Sequence, residues 1–465
     1  MSGPVGTATH RGHAVAAAGF LVDAERAAWH DRSLWFMRQK RDLGTSLPDW
    51  ESLRLAGSAL KTHAMSRLAD LLEEFERRAT ANGVVVHWAR DAAEHNAIVL
   101  GILHTAGVTR VSKSKSMLTE ECGLNPFLEA RNIEVVDTDL GERIVQLAKE
   151  PPSHIVIPAI HWKREEIGAL FHRTMGTPAG ETSPDALAAA ARIHLRDALL
   201  HAGAGITGAN ALVAETGGVV VCTNEGNADL GMHSAPIHIA CVGIEKIVAT
   251  RDDLGVLLRL LARSGTGQPV TAYTTHVTSP RPGAAMHVVL VDNGRTRRLA
   301  DEAMRTALHC IRCGACLNTC PVYRRSGGYS YGHVIQGPIG AILAPAVDLD
   351  AHHELPFAST LCGSCADVCP VRIDIPAQLL AWRARSAAAG TLPRGYSAIF
   401  PLLGWVLSRL SRFERAARWA RRFQRLIPAA WLSGRWNPWT RAGRSLPVIA
   451  DESFREWARR EEKGS

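Results

Sequence analysis

The spacing of apolar and polar positions changes character three times along the chain. Residues 1 to 59 read as an N-terminal helical arm, with Gly, Ala and His dominating the first twenty positions and apolar residues at helical spacing after them. Ala24 to Asp42 reads as a helix that packs on the rest of the protein through Trp29, Trp35 and Phe36. Between residues 60 and 295, helical and strand-like stretches alternate. Leu60 to Ala81 and Ala92 to Leu103 read as helices. Val84 to Trp88, Thr109 to Val111, Ile133 to Asp137, Ile155 to Ile157 and Val219 to Cys222 read as strands. Another helix is predicted after Ser116. This alternation predicts an α/β domain with a largely parallel sheet and helices on its faces.

From 296 to 385 the strand pattern stops. Arg298 to His309 reads as a helix leading into a run of cysteines, and the stretch between two cysteine runs has room for helices and a Gly/Pro-rich loop. An all-α domain is predicted there. From 386 to 465 a basic amphipathic tail follows. Projected as a helix, Leu410, Phe413, Trp419, Phe423, Leu426 and Ile427 share one side, and Arg415, Arg418, Arg421, Arg422 and Arg425 share the other, while Arg409 and Arg412 break the pattern.

At 465 residues and 46% hydrophobic content, two or three domains with a sizeable core are expected. No stretch reaches the roughly 18 apolar residues of a membrane span. Ala14 to Val22 is too short for an export signal and runs into Asp23 and Glu25, so it reads as a helix start. Many free thiols and no export signal predict the reducing cytoplasm. The net charge of +8 is local: Ala381 to Arg444 holds thirteen arginines, no lysine and one acid, Glu414. That segment suits the inner face of an anionic membrane through residues 400 to 440, or an acidic partner, or a helix packed on the body with a solvated basic face. Nucleic acid is not expected, because no binding motif accompanies the charge.

The chemistry is concentrated in seven cysteines. Cys310, Cys313, Cys316 and Cys320-Pro321 form a complete C-x2-C-x2-C-x3-C-P run, and Cys362, Cys365 and Cys369-Pro370 form a shorter one. A tight loop of this spacing can wrap three corners of a cubane cluster. In two-cluster proteins the last cysteine of each run serves the other cluster. That rule assigns Cys310, Cys313, Cys316 and Cys369 to cluster one, a [4Fe-4S] centre, and Cys320, Cys362 and Cys365 to cluster two. The fourth position of the second run is Ser359. Cluster two is therefore either [3Fe-4S] or [4Fe-4S] with a non-cysteine ligand, such as Ser359, water or a partner group. Zinc is the rival occupant, but seven thiolates divide badly into four-ligand sites. Cys122, Cys222 and Cys241 lack metal spacing and read as small buried hydrophobes.

Three stretches of the α/β domain invite function. Lys113, Lys115 and Ser116 lie where a strand end meets a helix start, a place that suits an anion. The same residues also read as a capped helix, with Ser116 or Thr119 as cap, Glu120 and Glu121 complementing the dipole, and solvated lysines. Glu215 precedes the Gly217-Gly218 turn, where its carboxylate could face a cleft. Thr223 to Asn227 reads as an ordinary polar turn.

Several motifs together resemble lactate utilization protein B. They are Val111-Ser-Lys-Ser-Lys-Ser-Met117, Pro151-Pro-Ser-His-Ile155, Gly205-Ile-Thr-Gly208, Thr223-Asn-Glu-Gly-Asn227, Val291-Asp-Asn-Gly-Arg295 and the exit Cys320-Pro-Val-Tyr-Arg324. The resemblance spans roughly residues 30 to 380. It implies an iron–sulfur subunit of a bacterial L-lactate dehydrogenase complex, working with the other subunits of the lactate oxidation system. It implies a domain similar to the sugar-phosphate isomerase and CoA-transferase fold, followed by a helical ferredoxin domain. It also implies a second cysteine run that is one ligand short. The Trp- and Arg-rich tail is the part least like the family.

The function expected is electron transfer through two clusters, with lactate oxidised to pyruvate by the complex. No G-x-G-x-x-G follows a strand, which argues against hydride chemistry in this chain. The alternative makes the α/β domain an enzyme on a small anionic molecule, with Glu215 as nucleophile or base, Lys113 and Lys115 as anion holders, and the clusters auxiliary.

Overall fold

A computed structural model describes residues 12–392, 394–427, 437, 440, 444–445 and 449–464. Residues 1–11 of the expected N-terminal arm lie outside the described residues, as do most of 428–448 in the tail, with Trp431, Trp436 and Trp439, and the Arg425 side chain. The chain forms two compact units, Met1–Ala388 and Ala389–Ser465.

The first unit is built on a six-stranded sheet. Its strands are β1 (Val85–Ala89), β2 (Arg110–Lys113), β3 (Glu134–Asp137), β4 (Ala204–Thr207), β7 (Ile237–Gly243) and β10 (Ala285–Val291). Their order is β1-β10-β7-β4-β2-β3, and every pairing is parallel. The central strands are buried on both faces, which is why Ile239 to Val242 and Val288 to Val291 are continuous apolar runs. A second, mixed sheet joins β5 (Ala211–Val213), β6 (Gly218–Thr223), β8 (Ile247–Val248) and β9 (Tyr273–Val277) in the order β8-β5-β6-β9. The turn between β5 and β6 needs glycine. Gly217 has φ 64°, and a Cβ there would lie 2.3 Å from the Ala79 nitrogen.

Three sequence expectations change. Ile155 to Ile157 is not a strand. The N–H groups of Val156 and Ile157 both donate to His154 Nδ1, at 3.0 and 3.1 Å, and the Val156 carbonyl accepts from Lys115 Nζ. Those groups are therefore spent outside any ladder. The helix before the cysteines is broken into an α-helix, Arg295–Ala300, and a 3-10 turn, Arg305–His309. The helix Ala24–Gly44 packs through Ala27, His30, Leu34 and Arg41, leaving Trp35 and Phe36 exposed. Trp29 is half-buried and donates to the Ile160 carbonyl at 3.2 Å.

Between residues 296 and 388 the described chain is helical, with helices Ala315–Thr319, Pro321–Ser326, Gly337–Leu343, Ser364–Asp367 and Ile375–Ala388. These pack around Tyr323, Tyr331, Ile339, Leu355 and Leu379. The helices Ala24–Gly44 and Trp50–Ser66 lie against this region. Arg54 donates to the carbonyls of Cys369 (3.0 Å) and Asp367 (2.7 Å), and Arg41 to that of Val368 (3.2 Å).

The second unit has helices Arg394–Leu407, Leu410–Leu426 and Phe454–Gly464. Arg421 pairs with both oxygens of Glu456, at 2.7 and 3.1 Å. Leu410, Phe413, Trp419, Phe423 and Leu426 are all exposed, as are Leu402 and Trp405 on the preceding helix. Among the described residues, no helix is long and apolar enough to cross a membrane.

Candidate functional site

The first cysteine loop is shaped by two left-handed residues, Arg312 (φ 61°) and Gly314 (φ 79°). A side chain at Gly314 would press on Val156 Cγ2 at 2.9 Å. The turn aims the Arg312 N–H at Cys310 Sγ, 3.4 Å away. Similar bonds run from the Tyr323 N–H to Cys320 Sγ at 3.5 Å and from the Ile373 N–H to Cys369 Sγ at 3.4 Å. Such donors stabilise negative charge on sulfur.

The two cysteine runs are interleaved. Cys310, Cys313, Cys316 and Cys369 border one apolar space walled by Ile155, Ile311, Ile339 and Val371. Cys320 is a charge neighbour of Cys362 and Cys365. Cys316 neighbours its own set and also Cys365, so the two sets are adjacent. Burial pushes the thiols of Cys313 and Cys365 up to about 12 and that of Cys369 to about 11. Exposed Cys362 is lowered by the Ser364 N–H and the Thr360 hydroxyl. Protonated buried thiols must release protons when they take a metal.

These features fit an iron–sulfur cluster. The donors are all thiols, the walls are apolar and N–H groups point at sulfur. Among the described residues no three His, Cys, Asp or Glu side chains close on a single metal ion. Ser359 is half-buried, and its hydroxyl accepts from the Leu361 N–H at 3.1 Å. Near the second set, Thr319 and Ser364 hydroxyls meet at 2.6 Å, and Arg38 donates to both. Sequence reasoning missed Arg38 and Arg41 on the helix Ala24–Gly44 and Arg54 on Trp50–Ser66, because a helical arginine looks solvated until its distant carbonyl or hydroxyl partner is known.

A second site lies at the carboxyl ends of β2, β4 and β7. It is a cavity of about 390 Å³ whose lining includes Lys115, Glu225, Lys246, Arg312 and Cys313. Lys113 does not reach it as an anion holder. It is fully buried and paired with Asp137 (2.8 Å), Glu120 (3.2 Å) and Glu142 (3.6 Å). Burial lowers its pKa, but these carboxylates outweigh that and raise it. Lys115 lines the cavity paired with Asp139 at 3.1 Å. Ser116 also lines it, and its hydroxyl caps the short helix Met117–Glu121 by accepting from the Thr119 N–H. The Ser116 cap is present, but the lysines are not solvated as that reading expected: Lys113 is buried among carboxylates, and Lys115 is paired with Asp139 at the cavity wall.

Glu215 stays outside the cavity. It is exposed, and its carboxylate accepts from the Arg251 N–H at 2.9 Å, in the first turn of the helix Arg251–Thr266. Glu225 does line the cavity and accepts from the Leu140 N–H at 3.1 Å. Burial and Asp139 raise its carboxyl. Cys122 and Cys241 are buried, and Cys222 is half-buried.

Residues 72–298 match the LUD domain, and residues 306–373 match the 4Fe-4S dicluster domain, which implies two iron–sulfur clusters. The chain is 38% identical over 425 residues to "Uncharacterized electron transport protein YkgF" of Escherichia coli, covering 88% of each chain. It is 41% identical over 355 residues to lactate utilization protein B of Oceanobacillus iheyensis, covering 75% of this chain and 74% of the relative. It is 39% identical over 437 residues to lactate utilization protein B of Shouchella clausii, covering 90% of both. A solved structure of a duf162 family protein from Deinococcus radiodurans is 17% identical, covering 48% of this chain and 98% of that one, with a TM-score of 0.27. Identity at this level over most of both chains shows that this protein belongs to the lactate utilization protein B family.

Proposed function

We propose that this chain is the iron–sulfur electron-transport subunit of a multi-protein system that oxidises L-lactate to pyruvate. The relatives named for lactate utilization and electron transport support the reading. The observation that carries it is the interleaving of the cysteine runs, with Cys369 beside Cys310, Cys313 and Cys316 and Cys320 beside Cys362 and Cys365. Cys310, Cys313, Cys316 and Cys369 would hold a [4Fe-4S] cluster. Cys320, Cys362 and Cys365 would hold the second, either as [3Fe-4S] or as [4Fe-4S] completed by Ser359, water or a partner group. When bound, such clusters supply one-electron transfer. The chain's own part is to hold the thiolates, to direct N–H groups at three sulfurs and to keep the first set in an apolar, water-poor wall.

In this reading 60–295 is an α/β domain of the sugar-phosphate isomerase and CoA-transferase type, a view supported by its six parallel strands. Residues 296–385 are the two-cluster ferredoxin domain, and within the 1–59 arm the helices Ala24–Gly44 and Trp50–Ser66 brace it through Arg38, Arg41 and Arg54. Residues 386–465 hold the protein, in the cytoplasm, to an anionic inner membrane face. Their exposed Trp405, Trp419 and Phe423 among arginines support this. The test is iron and acid-labile sulfide analysis of anaerobically purified full-length protein, with EPR in reduced and oxidised states. Two clusters are expected. Sulfide-free, colourless protein overturns the reading.

A further inference from the structure

We propose that the cavity at the carboxyl ends of β2, β4 and β7 binds a small organic carboxylate, held by Lys246 and Arg312 against the first cysteine loop. The choice of a 2-hydroxy or 2-oxo acid rests on the lactate reading above; the site itself rests on geometry.

Ligands of open parallel α/β sheets sit outside the carboxyl ends of the strands. The cavity is bordered there by residues 114–116 after β2, 208–210 after β4, and Glu245 and Lys246 after β7. Its volume of about 390 Å³ is ample for such an acid.

The charges at the cysteine end leave donors open. Arg295 has a partner at each of its three nitrogens: it gives Nε to Glu245, Nη2 to Glu121 at 3.0 Å and Nη1 to the Asp292 carbonyl at 3.1 Å. Arg312 gives Nη2 to Glu121 at 3.2 Å, but its Nη1 is buried with no hydrogen-bond partner. Lys246, a charge neighbour of Arg312, lines the same cavity, and among the described residues its Nζ makes no hydrogen bond or ion pair. Three cations thus face two carboxylates, Glu121 and Glu245. At the other acidic groups of the cavity, Asp139 is paired with Lys115 and Glu225 accepts from Leu140 N–H. A carboxylate satisfies Arg312 Nη1 and Lys246 together, because its oxygens accept and both side chains offer charged N–H donors.

The position links binding to the clusters. Arg312 lies between Cys310 and Cys313, and Cys313 borders both this cavity and the apolar space of the first cysteine set. A carboxylate on Arg312 therefore touches the loop that wraps the first cluster.

The test uses anaerobic full-length protein whose iron and sulfide content has been measured first. It is titrated by calorimetry with L-lactate, pyruvate and lactamide, the uncharged amide. EPR of the reduced protein is recorded at each end point. The two carboxylates are expected to bind saturably and to shift the cluster signal, and lactamide is expected not to bind. Lys246→Gln should raise Kd roughly ten-fold or more, the scale of one lost charged hydrogen bond. Surface Lys40→Gln should leave it unchanged. Arg312→Gln should also weaken binding; if that variant loses iron, Lys246→Gln decides alone. Absence of saturable binding, or the same Kd in Lys246→Gln, overturns the proposal. Absence of iron and sulfide would instead sink the electron-transport reading, so the two failures are distinct.

Discussion

His154 Nε2 donates to Asn318 Oδ1 at 2.9 Å, tying the loop that borders the cavity to the short helix Ala315–Thr319, which carries Cys316. The tautomer is fixed, because His154 Nδ1 already accepts the N–H groups of Val156 and Ile157. Asn318 completes the link by donating to the Gly265 carbonyl at 3.1 Å. The α/β part and the cysteine part are thus joined by a neutral buried histidine.

That histidine makes stability depend on pH. Burial depresses His154 to about 3 and His238 to about 4, against an ordinary 6.5. As pH falls below 6.5 the unfolded chain takes these protons first. Their contribution is therefore complete above 6.5 and is lost between 6.5 and the folded values. Urea unfolding at pH 7 and pH 5 should show a loss of about 2 kcal/mol per histidine. His154→Gln should flatten the slope by one such share.

Cys369→Ser is expected to remove the cluster held with Cys310, Cys313 and Cys316, although those lie more than fifty residues earlier in the chain. The cluster held with Cys320, Cys362 and Cys365 should persist. EPR with iron counting distinguishes them. Loss of the second cluster alone would refute the crossed assignment.

Lys113→Met is expected to destabilise the fold by about 3–5 kcal/mol, because it leaves Asp137, Glu120 and Glu142 without their buried partner. Denaturation midpoints measure this. A variant of normal stability that had lost carboxylate binding would return Lys113 to the role of anion holder.

Truncation after Ala388 removes one whole compact unit. The clusters should remain, and co-sedimentation with phosphatidylglycerol vesicles should fall. Loss of iron on truncation would show that the tail is structural.

The sequence by itself determined what depends on neighbours a few residues away. Cysteines three apart can wrap a cluster wherever the loop lies, and strand and helix periods in 60–295 report faces that must be buried. Val84 to Trp88 and Val219 to Cys222 were legible for that reason. Only the tertiary structure decided where those pieces meet. Ile155 to Ile157 has the residues of a strand, yet His154 and Lys115 take its polar groups. Lys113 and Lys246 are indistinguishable as letters. One is surrounded by three carboxylates and the other lines a cavity with its amine unpaired. Arg54 braces a carbonyl 315 positions away. The charge state and accessibility of a side chain follow from which distant groups share its low-dielectric surroundings, and one-dimensional spacing carries no record of them.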